Sequence, residues 1–203
     1  MNINLLFYIL AYLIGSIPFG YLLAKYIGGV NIKEAGSKNI GATNVLRVLK
    51  EKDPALAKKL GIATFILDAL KGAILILIGK AIGLSPSVLW MIGVLSVIGH
   101  CFSIYLFFEG GKGVATGFGV MLVLLPIPTL IALLVWIVVA KVTKISSLGA
   151  LSALIALLVS SYILYPQIPG INSHAPIWII TFIIFYKHIP NIIRLFKKEE
   201  KRI

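Results

Sequence analysis

Long apolar runs alternate with short polar stretches along the chain. The apolar runs cover about 3–27, 60–84, 86–108, 114–141, 147–165 and 175–196. Polar stretches lie at 28–59, 109–113, 141–147 and 166–174, and the tail turns polar from Lys197. A bilayer core of ~30 Å is crossed by ~20 apolar residues in a helix. Each run is long enough for that, which predicts an all-α, polytopic membrane protein with one transmembrane domain over 1–203. No Lys or Arg precedes the first run, which continues to Lys25. It reads as a retained first helix, because a secretory signal carries a basic start and a shorter apolar core.

The run from Val114 to Lys141 contains Pro126-Ile127-Pro128. As one helix it would be ~42 Å long, too long for the core without strong tilt, and prolines end helices. Division at Pro126 gives seven transmembrane helices with two short helices, the fourth and fifth. Charge then sets the N-terminus outside and the C-terminus in the cytoplasm. Residues 28–59, 109–113, 141–147 and the tail then share the cytoplasmic face. Of the 19 Lys and Arg, only Lys80 lies near the outer side, as positively charged short loops require. An undivided run would send Lys141, Lys144, Lys187, Arg194 and the basic tail outward.

Composition sharpens this reading. Hydrophobic residues make up 59% and charged residues 13%, leaving no room for a separate soluble domain. Mean hydropathy is +1.01 and the sequence pI is about 9.9. The net charge of +12 sits in loops between apolar runs. That suits topology and anionic head groups better than nucleic acid. The one cysteine, Cys101, lies in an apolar run and reads as a small buried hydrophobe.

Chemistry concentrates in the polar stretches. Gly36-Ser37-Lys38-Asn39-Ile40-Gly41-Ala42-Thr43-Asn44-Val45-Leu46-Arg47 combines glycine amides, hydroxyls and two cations, the groups that bind an anion. It could equally be an ordinary cytoplasmic loop. Gly110-Gly111-Lys112-Gly113 before a helix start is a candidate anion nest or a tight turn with one topogenic lysine. Asp68 and Lys71, three apart in an apolar run, can neutralise each other on one helix face or meet a ligand. Ser146 and Ser147 suit a helix N-cap and can also bind substrate. His188 and Asn191 share a helix face if the helix persists through Pro190; otherwise Tyr186, Lys187 and Arg194 read as an interfacial anchor. His100 reads as structural. No metal-ligand set, Gly-x-Ser-x-Gly elbow, Walker motif or His-x4-Asp pair is present.

Taken in order, these segments resemble the acyl-phosphate-dependent glycerol-3-phosphate acyltransferases of bacteria, over nearly the whole chain. Gly15-Ser16-Ile17-Pro18-Phe19-Gly20 is similar to that family's first-helix signature. Gly36 to Arg47, Asp68 to Gly72, Gly99 to Thr116, Ser146-Ser147-Leu148 and His188 to Leu195 resemble its later elements. Lys38 stands where the family has a second glycine, and Asn31, Lys33, Ser103 and Glu109 where Asp, Arg, Pro and Lys are common. Ile189-Pro190 interrupts the last element.

The resemblance implies transfer of an acyl group from acyl phosphate to the 1-hydroxyl of glycerol 3-phosphate, giving lysophosphatidic acid and phosphate. This would be the first step of phospholipid synthesis, on the cytoplasmic side of a bacterial inner membrane. It implies no cofactor and no metal, and a functional link to an enzyme that makes acyl phosphate. It assigns Ser37, Arg47, Lys112 and Ser146 or Ser147 to phosphate and glycerol. Asn39, Gly41, Thr43, Asn44, Gly110, Gly111 and Gly113 go to the acyl phosphate and developing oxyanion. His188 and Asn191 complete the site, and the base is His188, His100 or a substrate phosphate. A membrane transporter of a phosphorylated small molecule is the competing expectation.

Overall fold

The computed structural model describes residues 2–201, with no strand among them. The chain forms α1 (Ile3–Ser16), α2 (Phe19–Tyr26), α3 (Ala42–Lys50), α4 (Pro54–Ala81) and α5 (Pro86–Cys101). A 3₁₀ turn at Ile104–Leu106 precedes α6 (Val114–Leu124), α7 (Pro126–Thr143), α8 (Ser146–Leu164), α9 (Ala175–Lys187) and α10 (Ile189–Phe196). Among the described residues, five stretches are long and apolar enough to cross a membrane: α1 with α2, α4, α5 with the 3₁₀ turn, α7 and α8. Taken together, α9 and α10 form a sixth, bent by 54°.

The break at Pro126 is where the sequence places it: α6 ends at Leu124 and Pro126 opens α7. Only one of the two flanking helices is short. The 18-residue α7 has the length of a span, whereas α6 has 11 residues, about 16 Å or half the hydrocarbon core. The reason lies just upstream. The Gly110 and Gly111 amides donate to the carbonyls of Cys101 (3.2 Å) and His100 (2.9 Å). The chain therefore folds back along the end of α5, and helix begins again only at Val114.

The first apolar run also departs from a single helix, because Pro18 divides it into α1 and α2. Carbonyls exposed at this break take donors from other spans. Ser103 Oγ donates to the Ser16 carbonyl and Lys71 Nζ to the Ile17 carbonyl, each at 2.6 Å. Tyr12 Oη returns a bond to the Phe102 carbonyl at 2.9 Å. Beside the break, α1 and α5 meet backbone to backbone. A Cβ at Gly15 would strike the Ser96 backbone, and one at Gly99 the backbone of Tyr12 and Ser16.

Two cores hold the rest. The larger, around Trp90, Ile92, Val97, Val120, Met121, Ile177 and Ile180, joins α5, α6 and α9. The smaller packs Ile32 and Ile40 of the first polar loop against Ala24, Val45, Leu49 and Leu60. That second core fixes the loop on α2, α3 and α4. Leu134, Ile155, Ile163 and Phe182 remain exposed on the outer flanks of their helices, the surface expected for lipid contact.

Candidate active site

Where the polar loops converge, a cavity of about 560 Å³ opens. Its polar end is lined by Ser37, Asn39, Gly41, Thr43 and Arg47, by Lys112 and Gly113, by Ser146 and Ser147, and by His188 and Asn191. His100 and Asp68 form part of the same wall, and an apolar arm runs from it between the helices. Residues far apart in sequence thus meet at one end of the bundle.

Asn44 organises the first loop. Its Oδ1 accepts from the Ser37 amide at 2.8 Å. Its Nδ2 donates to the Ile32 and Ala35 carbonyls at 3.2 Å and to Asn39 at 2.8 Å. The resemblance assigns Asn44 to the acyl phosphate; it does line the cavity, and the loop takes up both of its side-chain polar atoms. It is a buried clamp that presents Ser37 and Asn39. The start of α3 at Gly41–Thr43 faces the cavity, so its free amides and helix dipole favour an anion there. Lys38 is exposed, lies off the cavity wall and has φ 59°. This left-handed conformation suits glycine, the residue the resemblance expects at that position. Two further departures from the family pattern pair with each other: Lys33 Nζ lies 3.0 Å from Glu109 Oε2 and joins the first two polar loops.

In the second loop, Gly110 and Gly111 do not line the cavity. Their amides are spent on the α5 carbonyls, so they cannot form the expected oxyanion nest. Gly111 instead leaves room for the His100 ring, which a Cβ would strike. Gly113 does reach the cavity, and its φ of +86° turns the chain into α6. His100 Nδ1 lies 3.7 Å from Asp68 Oδ1. Asp68 also pairs with Lys71 at 2.8 Å, the self-neutralising arrangement allowed by their spacing.

The bend between α9 and α10 carries His188 and Asn191, both buried and both on the cavity wall. His188 Nδ1 lies 2.7 Å from the Ile184 carbonyl. A carbonyl only accepts, so Nδ1 carries the proton and Nε2 of the neutral ring is a free acceptor. Thr43 Oγ1 and Ser146 Oγ, 3.4 Å apart, link α3 to α8.

Sequence reasoning missed Lys58 and Lys201 on the cavity wall and, bonded into the site, Glu200. Its Oε1 accepts from Ser147 Oγ (2.8 Å) and Asn191 Nδ2 (2.6 Å), and its Oε2 from Arg194 Nε (2.7 Å). The available signal was rarity, since the chain has only seven acidic residues and this one lies in a basic tail. Burial raises the Glu200 pKa, but bonds from Asn191, Ser147 and Arg194 outweigh that and hold it below the ordinary value. Lys112 is lowered to about 8, chiefly by burial and further by Arg194 and Arg47, while Glu200 opposes the shift. Arg47 is lowered by burial as well. These desolvated cations around hydroxyls and free amides have the chemistry to hold an anion.

Among curated proteins, the chain is 61% identical to a glycerol-3-phosphate acyltransferase of Nitratiruptor sp., covering 100% of this chain and 97% of that protein. Identity is 58% to the enzyme of the same name from Wolinella succinogenes, with the same coverage. Among solved structures, the crystal structure of PlsY (YgiH), an integral membrane glycerol 3-phosphate acyltransferase in its glycerol 3-phosphate form, superposes with a TM-score of 0.87. It is 37% identical and matches over 100% of this chain and 96% of that one. Its lysophosphatidic acid form gives a TM-score of 0.85 at 36% identity. The sequence profile described as glycerol-3-phosphate acyltransferase matches residues 5–198, and the chain belongs to that family of integral membrane enzymes.

Proposed function

We propose that the enzyme takes its acyl group from acyl phosphate, esterifies the 1-hydroxyl of glycerol 3-phosphate, and releases lysophosphatidic acid and phosphate. The observation that carries this reading is the two-part cavity, with a cationic, hydroxyl-rich end continuous with an apolar arm. Glycerol 3-phosphate needs only the first part. A donor with both a phosphate and a chain needs both, and a related structure in a lysophosphatidic acid form supports a site for such a molecule.

In this mechanism Arg47, Lys112, Ser37 and one of Ser146 and Ser147 hold the phosphate groups. The substrate hydroxyl attacks the acyl carbonyl carbon, the new ester bond forms, and the bond to the phosphate oxygen breaks. Phosphate is a good leaving group, so the chief demands are positioning and stabilising the oxyanion. Asn39, Thr43 and the amides at the start of α3 are the donors available for that. The hydroxyl proton passes to His188 Nε2 or to the departing phosphate. Asn44 and Glu200 position the groups that touch substrate.

The site would face the cytoplasm of a bacterial inner membrane, in a seven-span topology that counts α6 and the bent α9–α10 pair. An enzyme producing acyl phosphate would supply the donor.

The test is turnover by the purified protein with palmitoyl phosphate or palmitoyl-coenzyme A, each with labelled glycerol 3-phosphate. Labelled lysophosphatidic acid is expected from the acyl phosphate alone. Product from coenzyme A alone would overturn the donor. Arg47→Ala should lower turnover by at least about a hundredfold in a protein that still elutes as folded, the scale of losing a charge-stabilising contact. Near-normal turnover would remove Arg47 from the mechanism.

A further inference from the structure

The apolar arm has a floor, built from residues of four helices. On α8, Ser147, Ala150, Leu154 and Leu157 line the cavity in turn at the spacing of one helix face. The lining ends at Met121 on α6, Thr129 on α7 and Ile180 on α9. All four floor residues are buried, Met121 to 1% and Ile180 to 0% exposure. Thr129 keeps the floor apolar by donating its hydroxyl to the Leu125 carbonyl at 2.7 Å. One turn before Thr129, beside the break at Pro126, Leu125 is 2% exposed and off the lining of the arm.

Distance gives the floor meaning. Leu157 lies ten residues beyond Ser147 on α8, about 15 Å of helix. One leaflet of a ~30 Å hydrocarbon core has the same depth. The arm therefore fits a chain of membrane-lipid length and ends where a longer one would have to fold or displace buried side chains.

Resting on the acyl donor reading above, we infer that Leu157, Met121, Thr129 and Ile180 gauge acyl chain length, setting the longest donor that the polar end can hold in register. A chain that reaches the floor gains its full apolar burial. One that overshoots draws its carbonyl away from the phosphate-binding groups. A methylene that a pocket cannot accept changes discrimination by roughly tenfold or more.

The experiment is kcat/KM for saturated acyl phosphates of graded length, measured in the wild type, Leu157→Ala and Leu157→Phe. Leu157→Ala deepens the arm and should move the optimum to longer donors, raising the long-to-short ratio by roughly tenfold. Leu157→Phe should do the reverse. The KM for glycerol 3-phosphate should stay unchanged in both, which also shows that the polar end is folded. Should Leu157→Phe fail to fold, Met121→Ala deepens the same floor from α6 and must shift the optimum in the same direction as Leu157→Ala. Active variants that all keep the wild-type length profile would overturn the gauge alone, and would mean that the chain leaves sideways into the bilayer. A wild type that turns over no acyl phosphate of any length would overturn the donor reading and the gauge together.

Discussion

Lys112, which the proposed mechanism sets against phosphate, shows how burial tunes a single residue. In water its ammonium would stay charged far above neutral pH. Burial lowers it to about 8, so its charge is held near the point of loss until an anion arrives. A group with a lowered cationic pKa is charged below that value and neutral above it. The kcat/KM for glycerol 3-phosphate should therefore hold level up to about pH 8 and fall by about tenfold per unit beyond it. Lys112→Arg, if active, should keep its charge and lose that limb. A wild-type profile that stays flat to about pH 10 would contradict a role for the Lys112 charge. Asn44 carries the complementary lesson. An amide within a glycine-rich polar motif reads as a ligand, yet a single buried amide can close a loop by bonding four backbone groups.

Between elements, polar side chains act as ties among spans. Pro18 interrupts the first span, and the break is held by Ser103 from beyond α5 and Lys71 from α4. Lys71 carries two duties, pairing with Asp68 while donating to the Ile17 carbonyl. Removing one partner of a buried pair costs about 3–5 kcal/mol, because the other is left uncompensated. Lys71→Ala should therefore lower thermal stability sharply in detergent. Asp68→Asn combined with Lys71→Gln, which leaves no buried charge, should lose clearly less. Equal losses in the two variants would show that the charge pair is not what ties α4 to the break. The same logic explains Ser103, where the resemblance expects proline. A hydroxyl there supplies a bond to the break that proline has no donor to make.

For the whole molecule the question is which way it sits in the membrane. Loops that carry Arg47, Lys112, Ser146 and His188 meet at one end of the bundle, whereas Lys80 and the 166–174 stretch lie at the other ends of their helices. Basic loops stay on the cytoplasmic side, so the site end should be cytoplasmic. Single cysteines placed in a Cys101→Ala background test this in intact cells. Asn172→Cys should react with a membrane-impermeant maleimide, and Lys144→Cys should react only after the cells are opened. The reverse pattern would invert the topology and put the active site outside.

Much of this was legible in the sequence, for physical reasons. Apolar runs long enough to cross lipid must become helices there, since the bilayer offers no other partner for the backbone. Prolines must interrupt them, and Pro126 and Pro190 mark real breaks or bends. Most candidate site residues reached the cavity because glycines, hydroxyls and cations in short loops between spans have little else to do. Other features could only be decided by tertiary structure. Gly110 and Gly111 gave up their amides to α5, which shortened α6 and removed the expected nest. Glu200 joined Ser147, Asn191 and Arg194 from a tail whose local pattern shows only charge. Sequence patterns report which groups a segment carries and what its own period buries. Which donor meets which acceptor across the bundle, and how deep the cavity runs, depends on the packing of helices distant in sequence.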